Sequence, residues 1–202
     1  IQPKPIIKDT TIVVESDWSS ASYYYSLCAL SPASEISLTS YKKNSLQGDS
    51  ILAKIYKDLG VETEFSENAI ILKNKQPLTL NNLTLNLINA PDIAQTIAVT
   101  CLGLGIECFL TGLHTLKIKE TDRLVALKNE IEKLGGDVVI TNETLHLKSS
   151  IKIEENINIS TYNDHRMAMA FAPIATKVSI QIEEPNVVSK SYPTFWEDFK
   201  KT

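Results

Sequence analysis

Cysteine is scarce in this chain of 202 residues: there are three, and no two form a CxxC pair. Cys28, Cys101 and Cys108 stand in apolar surroundings, which argues against a disulfide framework or a zinc ribbon and fits a reducing compartment such as the cytoplasm. Positive charge has no surplus either. Twenty Lys and Arg against 24 Asp and Glu leave a formal charge of −4, so the electrostatic footprint of a nucleic-acid binder is missing. No long apolar run occurs. The longest, residues 97–110, is interrupted by Glu107 and falls short of the roughly 20 residues that a membrane span needs. Glycine-rich phosphate loops, HExxH, EF-hand and GxSxG patterns are all lacking, so nothing in the sequence requires a metal or a cofactor. The opening Ile-Gln-Pro-Lys-Pro is neither a signal peptide nor an initiator Met, and the chain is expected to be a piece of a longer one. What remains is ordinary globular composition, 43% apolar and 22% charged.

The sequence repeats itself. VVESDWSSASYYYSLCAL (13–30), LNLINAPDIAQTIAVTCLGL (85–104) and INISTYNDHRMAMAFAPIA (157–175) each carry a short apolar run, an Asp, and a second apolar run rich in small residues. Asp17, Asp92 and Asp164 lie 75 and 72 residues apart. After each comes a β-rich stretch and a second helix: 48–59, 121–134, and a third from near Pro193 to the end. In 121–134 the apolar positions 124, 125, 127, 131 and 134 follow the helical period, Thr121 or Asp122 serves as cap, and Gly135-Gly136 stops the helix. Hairpins are expected at 61–65 with 69–73 and at 137–140 with 144–148. The unit is thus β-α-β-α-β-β, with a shortened third copy. Such a period exceeds that of solenoids, so the expectation is a mixed α/β domain of three units around a pseudo-threefold axis. The first helices, apolar nearly all round, would be buried between sheets with their N-termini on one side, where an anionic ligand is expected. Residues 1–11 read as the end of a preceding domain or a hinge. Residues 12–202 read as one domain, with repeats at about 12–75, 79–149 and 150–202.

Several polar residues are not needed by that core. Asp92 opens a first helix and could act there as a cap alone. Lys117–Leu124 (KIKETDRL) could be a solvated helix start. Asn163–Ala170 (NDHRMAMA) is harder to dismiss, because Arg166 enters an apolar Met/Ala helix, where an unpaired charge is expensive. Tyr192, Phe195 and Trp196 suit a C-terminal packing anchor, with Lys190 just before them. The repeat places Lys119, Arg123, Arg166 and Lys190 at one end of the domain with Asp92 and Glu120 among them. Two Arg forks and two Lys charges suit a small multivalent anion bearing carboxylate and phosphate. His165 either orients a neighbour, shuttles a proton, or is a structural hydrogen-bonding residue. No partner is evident for His114 or His146.

Taken in order, SDWSSASYY, NSLQGD, PDIAQT, LKIKETDRL, YNDHRMAMA and KSYPTFWEDF resemble the motifs of the 5-enolpyruvylshikimate-3-phosphate synthase family, over about residues 13–202. KETDRL together with NDHRMA is highly specific, and argues against the related UDP-N-acetylglucosamine enolpyruvyl transferases. The resemblance implies one of two domains, each of three β-α-β-α-β-β units, that close on substrate. It implies transfer of the enolpyruvyl group of phosphoenolpyruvate to the 5-hydroxyl of shikimate 3-phosphate, a step in the shikimate pathway to chorismate and aromatic amino acids. It covers only the C-terminal domain; the N-terminal domain that supplies the other half of the site is the implied partner. Alone, the chain would be a non-catalytic substrate-binding fragment. By matching position, Asp92 is implied as the group that takes the ring hydroxyl's proton and Lys119 as the group that positions that hydroxyl. Glu120 is implied in proton transfer at the methylene carbon, Arg123 and Arg166 in gripping the phosphoenolpyruvate carboxylate, and Lys190 near its phosphate. Thr115 stands where many members carry Asn, and its single hydroxyl makes a weaker substrate contact.

Overall fold

The computed structural model describes residues 9–75, 77–150 and 152–202, so most of the expected lead segment lies outside the described residues. Asp17 accepts from the Ser19 amide at 3.0 Å and starts helix α1, Trp18–Leu30. Every residue of α1 but Ser20 is buried. A helix this apolar on all sides has to sit inside. Strand β1, Glu35–Thr39, follows; then a 3₁₀ turn at Gly48–Ile51 leads into α2, Leu52–Asp58. Strands β2 (Val61–Phe65) and β3 (Ala69–Asn74) form the first expected hairpin, and β3 lies between β1 and β2, antiparallel to both.

The second unit runs β4 (Asn82–Asn86), a 3₁₀ turn (Pro91–Ile93), α3 (Ala94–Leu104), β5 (Glu107–Thr111), a 3₁₀ turn (His114–Ile118), α4 (Arg123–Lys133), β6 (Val138–Ile140) and β7 (Leu145–Leu147). Its sheet is ordered β4-β5-β7-β6, with β4 and β5 parallel and Asn82 opposite Glu107. Gly105, at φ 71°, ends α3 in the left-handed conformation that a side chain would disfavour. Asp122, not Thr121, caps α4 by accepting from the Val125 amide at 3.2 Å. The third unit holds β8 (Ile157–Ile159), α5 (His165–Phe171), β9 (Ile180–Ile182) and α6 (Phe195–Phe199), with β8 and β9 parallel.

One expected element does not form. The apolar run at the head of the first unit is no strand: Ile12, Val13 and Val14 are 79%, 66% and 83% exposed. The segment is held by scattered bonds, among them Ser16 N–H to the Ser40 carbonyl at 2.7 Å and Lys42 Nζ to the Val13 carbonyl at 3.1 Å. Without a ladder of bonds along β1, apolar side chains alone do not make a strand.

The core lies where α1, α3 and α5 pack against one another. Small hydroxyl residues let α1 and α3 approach closely. Ser22 Oγ and Thr96 Oγ1 are 3.0 Å apart; Thr100 Oγ1 donates to Ser26 Oγ at 2.7 Å and lies 2.8 Å from Tyr56 Oη. Each such bond contributes about 1 kcal/mol net.

Candidate functional site

The chain brings three motifs to one rim. The loop before α3 carries Asp92, the loop before α4 carries Lys119 and Glu120, and α5 begins with His165 and Arg166 just after Asp164. Arg123 is the first residue of α4, and its side chain is only 2% exposed.

Asp92 is not a cap: the 3₁₀ turn and α3 both start without a side-chain hydrogen bond. Its carboxylate turns instead to three cations. Oδ1 lies 3.1 Å from Lys119 Nζ and 3.1 Å from Arg123 Nη1, and Oδ2 lies 3.4 Å from Arg166 Nη2. Burial alone would raise this carboxyl, but Arg166, Lys119 and Arg123 together hold it below the usual carboxylate range. Asp92 is therefore ionised at neutral pH.

Arg123 is the hub. Its Nε donates to Asp164 Oδ2 at 2.6 Å, and its Nη2 donates to Glu120 Oε2 at 2.7 Å and to Asp164 Oδ1 at 3.3 Å. Asp164 is fully buried and also caps α5, accepting from the Arg166 amide at 2.8 Å. The sequence had marked Asp164 only as a repeat position, yet it is the deepest carboxylate of the cluster. Its equivalence to Asp92 in the repeat, with Arg166 two residues on, was the available signal.

His165 is mostly buried. Its Nδ1 has no hydrogen-bond partner among the described residues, and the nearest carboxylates are Glu120 at 3.7 Å and Asp164 at 3.9 Å. Burial outweighs those acids and pushes the imidazole below its ordinary pKa, so it is neutral at pH 7. Lys190 is joined to the rim at one remove, donating to the Asn163 carbonyl at 2.6 Å. Thr115 Oγ1 is buried with no hydrogen-bond partner among the described residues. His146, left without a partner by the sequence, sits 2.7 Å from Glu107 and edge-on to Phe109, on the sheet.

The rim differs from the expected anion cradle in one respect. Lys119, Arg123 and Arg166 meet Asp92, Glu120 and Asp164, three charges against three, so the cations are already neutralised. Two of the three first-helix N-termini are also closed, because Asp17 and Asp164 occupy them with carboxylates of their own, whereas that of α3 carries no side-chain cap. An incoming anion must compete with these carboxylates, and the cluster is a lattice of paired charges held in register rather than a bare positive surface. A groove of about 590 Å³, lined by Asp17, Ser20, Tyr24, Tyr192, Asp198 and Lys201 among others, takes in none of Asp92, Lys119, Glu120, Arg123, Asp164 and Arg166.

Comparison with known proteins follows this geometry. A family model described as EPSP synthase (3-phosphoshikimate 1-carboxyvinyltransferase) matches residues 1–199. A 3-phosphoshikimate 1-carboxyvinyltransferase from Bacteroides fragilis is 48% identical over 191 residues, covering 93% of this chain and 46% of that protein. One from Haemophilus influenzae is 33% identical over 197 residues, covering 96% and 44%. Among solved structures, EPSP synthase from Acinetobacter baumannii superposes with a TM-score of 0.76 at 21% identity, covering 93% of this chain and 46% of that one. The enolpyruvyl transferase NikO from Streptomyces tendae does so at 0.67 and 12% identity, covering 94% and 43%. These two likenesses carry the fold, mixed α/β. The chain spans about half the length of the curated relatives it matches.

Proposed function

The chain belongs to the EPSP synthase family, and from that membership we propose that it forms one half of an enolpyruvyl transferase active site. The whole protein would move the enolpyruvyl group of phosphoenolpyruvate to the 5-hydroxyl of shikimate 3-phosphate, releasing phosphate, in the cytoplasm. The observation that carries the proposal is the convergence of Lys119, Arg123 and Arg166 on one ionised carboxylate, Asp92.

In this reading Asp92 accepts the hydrogen bond of the attacking hydroxyl, with Lys119 at 3.1 Å fixing where that hydroxyl sits. Binding of the phosphoenolpyruvate carboxylate to Arg166, and to the one Arg123 Nη1 hydrogen not spent on Asp92, draws cations away from Asp92. Its proton affinity then rises as the base is needed. Glu120, between Arg123 and His165, takes up a proton from solvent as substrate binds and delivers it to the methylene carbon, which makes an oxocarbenium-like centre at the neighbouring carbon. The hydroxyl adds there, giving a tetrahedral intermediate. Loss of a methyl proton and of phosphate then restores the double bond. Lys190, one carbonyl away from the rim, faces the departing phosphate. Fixed charges holding two anions side by side amount to electrostatic preorganisation. Thr115 takes no part unless substrate reaches its buried hydroxyl.

The missing half should be indispensable. We expect the 202-residue chain alone to release no measurable phosphate from phosphoenolpyruvate and shikimate 3-phosphate, and the longer reading frame containing it to do so. Turnover by the isolated chain near the rate of the longer protein would reject the half-site reading.

A further inference from the structure

Just before α5 the chain makes a turn that one of its own residues disfavours. The Asp164 amide donates to the Thr161 carbonyl at 2.9 Å, and the two residues between, Tyr162 and Asn163, lie at φ 54° and 56°. Positive φ at both central positions marks a type I′ turn, which Gly, Asn and Asp dominate. Asn163 suits it; Tyr162 does not, because a bulky side chain crowds the left-handed backbone. Such a residue persists only where its surroundings hold it. Glu130 of α4 supplies the hold. Its side chain is fully buried, Oε2 accepts from the Ser160 amide at 3.0 Å, and Oε1 accepts from the Tyr162 hydroxyl at 2.7 Å. Lys133 Nζ, 2.7 Å from Oε2, supplies the counter-charge. Burial and the bond to Glu130 push the Tyr162 phenol above its ordinary pKa, so it stays a donor at neutral pH.

Arg123 lies seven residues before Glu130, two turns back on the same face of α4, and holds the far end of the turn through Asp164 at 2.6 Å. One helix therefore grips residues 160–164 at both ends. Lys190 fastens the middle, donating to the Asn163 carbonyl at 2.6 Å. We propose that Glu130 and Tyr162 are positioning residues of the rim. By clamping this turn they keep Asp164 against Arg123 and hold the carbonyl on which Lys190 docks. Through the Asp164 cap on the Arg166 amide, 2.8 Å long, they also fix the start of α5, from which His165 and Arg166 project. Neither residue has a part in the chemistry above. That the clamp serves phosphoenolpyruvate rests on the proposed function, whereas the clamp itself stands on these contacts.

The test has two arms. In the 202-residue chain, hydrogen exchange of the Arg123 Nε–H is measured against that of the Val99 amide, which is buried within α3 and reports global opening. Tyr162→Phe keeps the ring and removes only the hydroxyl. The ratio of Arg123 to Val99 exchange should rise several-fold in Tyr162→Phe and further in Glu130→Ala. It should keep its wild-type value in Glu132→Ala, which deletes an exposed carboxylate of the same helix. A ratio unmoved in Tyr162→Phe overturns the proposal, since the bond then adds stability alone, and so does a rise shared by Glu132→Ala. Should Glu130→Ala fail to fold, Tyr162→Phe decides by itself. In the proposed whole protein, Tyr162→Phe should raise the KM for phosphoenolpyruvate about threefold to tenfold and leave that for shikimate 3-phosphate within about twofold. An equal rise in both KM values, or none in either, also overturns the proposal. If the wild-type whole protein shows no turnover, the functional reading fails, and the exchange ratio still decides the clamp.

Discussion

Replacing Asp164 by Ala probes the deepest charge in the molecule. The substitution removes two things at once. One is the cap of α5, a bond of 2.8 Å to the Arg166 amide, and such a cap is worth about 1 kcal/mol. The other is the carboxylate paired with Arg123 Nε at 2.6 Å, both partners being essentially out of water. Breaking a buried pair by deleting one member costs about 3–5 kcal/mol, because the surviving charge is left uncompensated. Here the lower end applies, since Arg123 keeps Asp92 and Glu120. The total is therefore about 3–5 kcal/mol, given that neighbouring effects are not additive. Asp164→Asn should cost less, because an amide oxygen can still cap the helix while only the charge is lost. Urea unfolding of the 202-residue chain, followed by circular dichroism, measures both. A loss below 1 kcal/mol for Asp164→Ala, or equal losses for Ala and Asn, would refute the account of Asp164 as joint cap and counter-ion.

Further consequences concern pH and the core. His165 is held below its ordinary pKa by burial, so the unfolded chain binds its proton more readily than the folded one. Its contribution is complete above about pH 6.5 and shrinks as pH falls from there toward the lowered folded value. His165→Gln should flatten the dependence of Tm between pH 5 and 7, and an unchanged slope would contradict the assignment. Thr100→Val leaves the buried hydroxyls of Ser26 and Tyr56 short of a partner and should cost about 1–3 kcal/mol. Adding Tyr56→Phe should restore part of that loss; strict additivity of the two in denaturant unfolding would show that the hydroxyls do not act together.

Local patterns made much of this architecture legible. The period-3.6 pattern of 121–134 gave α4, and alternating runs around Asn-rich turns gave both hairpins, because these signals are local. The opening strand of the first unit was misread because Ile12–Val14 has the composition of a strand but lacks its ladder, and a ladder is a long-range fact. Asp17 and Asp164 cap their helices as their residue type favours, whereas Asp92 does not. Pro91 routes the chain through a 3₁₀ turn there and frees the carboxylate for the cations. The repeat singled out Lys119, Arg123, Arg166 and Lys190 with Asp92 and Glu120 among them. That Asp164 joins them and leaves the cations paired depends on which side chains meet. Gly48 opens the expected helix 48–59, and the Asn89 carbonyl beside it is a long-range contact that the sequence does not display.

The claim on which the rest depends is that Asp92, freed from capping and ringed by cations, is the base of the reaction. Its most direct test is the steady-state release of phosphate by the proposed whole protein carrying Asp92→Asn, measured beside the wild type at saturating phosphoenolpyruvate and shikimate 3-phosphate. Loss of a general base predicts a kcat lower by about 10²–10⁴-fold in a protein that still unfolds cooperatively. A folded Asp92→Asn protein with wild-type kcat would contradict it.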